Sequence, residues 1–211
     1  MSADVVVSLC DYTGAMVKPW AEAGHHCICY DLQHSIRADR VERYGLGSIT
    51  YRWADVRSLT AADMPASRIV FAFPPCTHLA VSGARDFARK GLRLLIDALE
   101  VVETCRVLCE NSRAPWMLEN PVSRLSTLWR KPDHTFDPCD YGDPWTKRTC
   151  LWVGGGFVMP EKSPVAPTLG SMIHLMPPSE DRANLRSATP AGFSRAVFQA
   201  NTGKPSAQEA A

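Results

Sequence analysis

Through the first two thirds of the chain, apolar residues come in short runs, each closed off by polar, glycine- or proline-containing sequence. Val5 to Leu9, Cys27 to Tyr30, Ile49 to Trp53, Ile69 to Phe73 and Trp116 to Glu119 are too short for helices and rich in β-branched and aromatic residues. They predict five strands. Between the last two, Leu92, Leu95, Leu99, Val102 and Leu108 fall at approximately helical spacing, with Arg, Lys and Glu at the other positions. That spacing predicts a long amphipathic crossover helix. Strands alternating with helical sequence give the α/β class, a mostly parallel sheet with helices on both faces.

Past Glu119 the pattern changes. Prolines at 121, 132, 138, 144, 160, 164, 167, 177 and 178 interrupt regular structure, and Gly154-Gly155-Gly156 marks a turn. The expected organisation is a main domain over 1–153, a short irregular segment over 154–185, a closing helix over 186–202 and a flexible tail over 203–211. The helix is read from TPAGFSRAVFQAN, with Thr189 as N-cap, Pro190 at the first helical position and Phe193 and Val197 on one face.

At 211 residues and 45% hydrophobic, the chain can bury one sizeable core and is short for two. Its 23 Lys and Arg nearly cancel 22 Asp and Glu, which excludes a global field that gathers nucleic acid. Any polynucleotide contact must come from a local patch. MSADVVVSLC has no basic stretch leading into a long apolar one, and no window approaches the about 20 apolar residues of a membrane span. A cytoplasmic protein without membrane partners is expected, a monomer or weak homodimer. The eight cysteines form neither a C-x-x-C pair nor a dense disulfide framework and read as reduced thiols. His25, His26, Cys27 and Cys29 come closest to a metal set, but the strand that carries the two cysteines does not help the histidines converge, and no metal is expected.

In doubly wound sheets ligands collect beyond the carboxyl ends of the strands. Those ends carry CDYTG, Asp31, Asp55, Pro74-Pro75-Cys76 and Glu119-Asn120-Pro121. Asp31 is placed to accept from the hydroxyls of a ribose, or is a solvated loop carboxylate. Asp55 is placed to accept from the amine of an adenine, or caps the turn after it. Two acids behind a glycine-containing first turn suggest an adenosine-bearing cofactor. The turn lacks G-x-G-x-x-G, which disfavours a dinucleotide. Cys76 follows two prolines that fix the backbone, so its thiol projects rigidly and reads as a nucleophile with Glu119 as its acid partner.

In their order these residues resemble the cytosine-C5 DNA methyltransferase family, in a compact form similar to phage and prophage members. SLCDYTGAM resembles its S-adenosylmethionine turn, Tyr30-Asp31 and Ala54-Asp55 its ribose and adenine acids, and FPPC its Pro-Cys motif. Glu119-Asn120-Pro121 resembles Glu-Asn-Val, YGDPWTKRT the segment leading into Gln-x-Arg-x-Arg, and RSATPAGFSRAVFQAN the closing region. The resemblance implies a Rossmann-like S-adenosylmethionine-dependent methyltransferase with the cofactor held by Cys10, Asp11, Tyr12, Thr13, Gly14, Asp31, Leu32, Asp55, Val56 and Phe73. Cys76 adds to C6 of cytosine, Glu119 stabilises the charge on the ring, Asn120 holds the turn near Cys76, and Lys147 or Arg148 binds the base carbonyl or a phosphate. The chain departs from the family at Cys10, Tyr12, Ala15, Trp145, Lys147 and Thr149, and it has no room for a target recognition domain. The expected partner is therefore DNA read with relaxed specificity. The same chemistry on a free cytosine nucleotide such as dCMP is the alternative, and a silent nucleic-acid or partner-binding relative is the reading from another class.

Overall fold

The computed structural model describes residues 4–171 and 182–203. Eight strands form one mixed sheet: β1 (Val5–Leu9), β2 (His26–Asp31), β3 (Arg40–Tyr44), β4 (Gly47–Trp53), β5 (Ile69–Ala72), β6 (Trp116–Pro121), β7 (His134–Phe136) and β8 (Thr149–Gly154). Their order is β3-β4-β2-β1-β5-β6-β8-β7. The central five, β4, β2, β1, β5 and β6, run parallel, while β3 and β8 run antiparallel to their neighbours. The chain winds outward from β1 to β2 and β4, then returns to β5 on the other side of β1. The gap between β1 and β5 is thus the topological switch point where such sheets bind ligands.

β1 illustrates why the sheet is covered on both faces. Val6, Val7 and Leu9 are fully buried, and the strand alternation sends them into two separate cores. Val7 and Leu9 pack with Val70, Leu118 and the Val102, Cys105 and Leu108 face of the helix α2 (Phe87–Asn111). Val6 packs with Ile49, Phe71 and Met117 beneath Trp20 of α1 (Lys18–Glu22). The closing helix, which lies beyond α3 (Leu125–Leu128) and α4 (Arg182–Ser187), is α5 (Ala191–Thr202) and drives Phe193 and Val197 into that second core. Phe193 stacks on Phe136 with ring centroids 3.9 Å apart.

Several expectations are corrected. Gly91, at φ 72° and ψ −179°, breaks the helical path inside α2, so Leu92 is 74% exposed and the buried stripe starts only at Leu95. β3, β7 and β8 were not expected as strands. Part of the segment expected to be irregular is helical, in α4, while residues 155–171 carry no helix or strand. There Ser163 and Val165 donate backbone N–H groups to Asp140 and Cys139, so this stretch lies along the Pro138–Tyr141 turn without a core of its own. Pro190, not Thr189, is the N-cap of α5, and Thr189 makes no cap bond. Asp143 supplies the acceptor instead, taking the Gly192 N–H at 2.9 Å. Among the described residues no helix is long and apolar enough to cross a membrane.

Candidate active site

Pro74 and Pro75 carry the chain out of β5, and Cys76 follows half-buried. The neighbouring strand β6 holds this turn: Asn120, itself buried, donates from Nδ2 to the Pro74 carbonyl at 3.0 Å. The next turn begins at once, with Leu79 and Ala80 donating to the Cys76 carbonyl. The thiol therefore sits on a backbone fixed by two prolines, one cross-strand hydrogen bond and one turn.

Glu119 precedes Asn120 on β6, and strand alternation sends the two side chains to opposite sides. Its Oε1 is buried without a hydrogen-bond partner. Burial raises its carboxyl above the ordinary carboxylate range, and the Lys147 ammonium pulls it part of the way back. Burial likewise raises the Cys76 thiol, and Glu119 adds to this, while Lys147 and Arg186 oppose it. The four groups are thus close enough to act on one another. Arg186, at the end of α4, is a member that the sequence did not single out as a site residue.

Lys147 reaches this site because Asp137 grips the loop, accepting the Lys147 backbone N–H at 3.0 Å. The Lys147 Nζ donates to the Arg186 carbonyl at 2.9 Å. Arg148 points elsewhere and pairs with Asp137 at 3.5 Å, its side chain 57% exposed. The extended chain entering β8 puts Lys147 and Thr149 on one side and Arg148 on the other, so the structure does not bring Arg148 to the site. Thr149 takes its place as a wall of a small cavity shared with Phe73, Glu119, Lys147, Ser187 and Pro190. The free volume, about 10 Å³, admits at most a single water. Cys76 is not among the residues that line this cavity.

The first turn is built around Asp11. Its carboxylate, buried, accepts from Ser8 Oγ at 2.8 Å, the Gly14 N–H at 2.8 Å and the Thr13 N–H at 3.1 Å. Asp11 thus shapes the turn from within, although burial still raises its carboxyl against these hydrogen bonds. Gly14, at φ +66°, is required because Tyr51 lies against it: an added Cβ would meet the Tyr51 hydroxyl at 2.8 Å. Cys10 takes a left-handed φ of 55°, its thiol 3.9 Å from that of Cys105. His34, which the sequence did not single out, stacks on Tyr12 and bonds the Asp11 carbonyl at 3.2 Å, fastening the turn to the loop after β2.

Asp31 and Asp55 both lie close enough to raise the Cys10 thiol by their charge, so the strand ends do converge. Their carboxylates differ. Asp31 accepts only the Gln33 N–H, on Oδ1, and leaves its second oxygen open beside Leu32, which is 54% exposed. Asp55 is clasped by Arg57 through Nε at 2.9 Å and Nη2 at 2.5 Å, and also accepts the Arg57 N–H as the cap of a 3-10 turn. This is the capping alternative. Val56 is buried in the core, and Phe73 bonds its N–H to the Leu9 carbonyl across the switch point. A wider cleft of about 390 Å³ opens on the other side of the turn, between Thr13–Ala15 and the β3–β4 hairpin, lined by Lys18, Arg40 and Glu42. Neither Asp31 nor Asp55 faces it.

Comparison of the chain with known protein families gives no match, and comparison with curated proteins gives no relative.

Proposed function

We propose that the protein transfers a methyl group from S-adenosylmethionine to C5 of cytosine, with Cys76 adding covalently at C6. The observation that carries this reading is the buried Glu119 carboxyl, one oxygen unpartnered, set among Cys76, Lys147 and Arg186. Burial favours the protonated form of this carboxyl, and in that form it donates to ring N3 of cytosine while its other oxygen accepts from the 4-amino group. Placing that proton on N3 as sulfur adds at C6 keeps the ring neutral and leaves C5 electron-rich; after C5 takes the methyl group, loss of the C5 proton to a base expels the Cys76 thiolate from C6 and restores the ring. Lys147 and Arg186 favour the thiolate, and the fixed Pro74-Pro75 turn keeps it from having to be positioned at each turnover.

The cofactor reading is supported by residues at the switch point that fit an adenosine. Asp31 has an unused acceptor for ribose hydroxyls, and Leu32 offers exposed apolar surface next to it. Cys10 to Gly14 form the turn between them, shaped by Asp11. Asp55 joins only if Arg57 releases it. When bound, S-adenosylmethionine supplies the electrophilic methyl group.

DNA is the first substrate by resemblance, with the base extruded into the site. A free cytosine nucleotide is the second reading, favoured by the pairing of the nearby Arg148 with Asp137. The test is methyl transfer from labelled S-adenosylmethionine to duplex DNA, single-stranded DNA, RNA and dCMP, each with wild type and Cys76→Ser. Label on C5 of cytosine in one of these, lost in Cys76→Ser, is expected. Absence of transfer to every cytosine substrate, or transfer that survives the substitution, removes the proposal.

A further inference from the structure

The outer strand β3 is paired with β4 along one side only, and among the described residues nothing pairs with its other side. Its free edge has a definite polarity. The two-residue turn Gly45-Leu46, with Gly45 at φ +61°, makes Tyr44 and Gly47 the closing hydrogen-bonded pair. By alternation Tyr44, Glu42 and Arg40 direct their N–H and C=O groups toward β4, while Arg43 and Val41 direct theirs outward. Val41 is 49% exposed, so neither backbone nor side chain is shielded.

Exposed edges are normally protected by charge. Here the charges are arranged differently: Asp39-Arg40-Val41-Glu42-Arg43 becomes its own electrostatic complement when reversed. We propose that β3 is a self-association edge, pairing antiparallel with β3 of a second copy about a two-fold axis through Val41. In that register Arg40 lies opposite Glu42 of the second copy and Asp39 opposite Arg43, each twice by symmetry. Opposed residues share a face of the sheet, so each pair meets side by side. Val41 faces its own counterpart and exchanges with it the two backbone hydrogen bonds that the alternation leaves outward. Val41, 49% exposed, is thereby covered at the axis.

The neighbouring registers are disfavoured. An axis through Glu42 sets it against its own copy, and an axis through Arg40 does the same for that residue. Within one chain Arg40 already pairs with Glu42 and lies over the Tyr51 ring, and Arg52 pairs with Asp39 at 2.6 Å, so a second copy joins pairs already formed. The result is one continuous sheet across two chains, with each Cys76 site at the end of β5, four strands in from the joint. This inference does not rest on the reaction proposed above.

Sedimentation velocity across a concentration series tests it. The wild type is expected to reach twice the chain mass, reversibly and less readily at high salt. Arg40→Glu sets like charges against each other twice and is expected to leave only monomer, while the exchange Arg40→Glu with Glu42→Arg restores opposite charges and the dimer. Val41→Pro removes the outward N–H at the axis without costing a bond to β4, and is also expected to give monomer with an unchanged circular dichroism spectrum. A wild type that stays monomeric throughout overturns the proposal, as does a dimer that survives both Arg40→Glu and Val41→Pro. A charge exchange that fails to restore the dimer overturns the register.

Discussion

At the scale of single residues, Glu119 sets function against stability. Its carboxyl is buried, lacks a partner on one oxygen and binds its proton more tightly in the folded chain than in the unfolded one. A folded pKa raised above about 4.3 stabilises the fold below that pH and loses this contribution as pH rises through the raised value. Glu119→Gln cannot ionise, so its melting temperature is predicted to exceed that of wild type at pH 8, by about 1 kcal/mol or more in stability, with the gap closing toward pH 4. Differential scanning calorimetry at both pH values checks this; a gap independent of pH contradicts it. The same variant is predicted to lose about 10²- to 10⁴-fold in turnover, the range for a missing general acid. The two strand-end acids separate in the same way. Asp31→Ala is predicted to weaken S-adenosylmethionine by about 1 to 3 kcal/mol, because it removes an available acceptor. Asp55→Ala has a smaller effect, since Arg57 already occupies that carboxylate. Isothermal titration decides between them, and equal losses would place the adenosine against both acids.

At the scale of elements, the closing helix is held to the Pro138–Tyr141 turn by contact too close for any side chain. An added Cβ at Gly192 would collide with the Tyr141 carbonyl and come within 2.7 Å of the Asp143 carboxylate that caps the helix. Gly192→Ala is therefore predicted to cost about 1 to 3 kcal/mol by displacing α5. It also shifts Thr189 and Pro190, which border the cavity, so turnover is expected to fall with stability, measurable by thermal denaturation beside the methyl-transfer assay. The strands buried on both faces were legible in the sequence because burial imprints apolar runs, and Val5 to Leu9 coincides with β1. β3 was not legible, since RVERY is an edge strand whose charged residues follow no apolar alternation. β7, three residues long, lies below the length at which a pattern can form. Leu92 was read into the crossover stripe because spacing alone is blind to the left-handed Gly91 that rotates it into water. The approach of Glu119 to Cys76, and of Asp31 and Asp55 to Cys10, was legible from their places at strand ends. The clasp of Arg57 on Asp55 and the turning away of Arg148 were not, because both depend on side-chain direction in loops.

At the scale of the whole molecule, the winding of the sheet decides where chemistry can occur. The return of the chain from β4 to β5 brings the turn after β1 beside the turn after β5, so Asp31 and Glu119 lie at the same edge of the sheet. Neither group is near the other in sequence, and only the crossovers unite them. Residues 155–171, laid along the Pro138–Tyr141 turn, add surface without adding a second core. In the proposed reaction Cys76 becomes covalently bonded to cytosine during turnover. The most direct measurement uses 5-fluorocytosine, in dCMP and in single- and double-stranded oligonucleotides, with S-adenosylmethionine, followed by mass spectrometry of the proteolysed chain. Fluorine cannot leave C5 as a proton does, so the account predicts a stable adduct, carrying the transferred methyl group, on the peptide containing Cys76 and absent from Cys76→Ser. No adduct with any of these substrates, or an adduct on another of the cysteines, would contradict it.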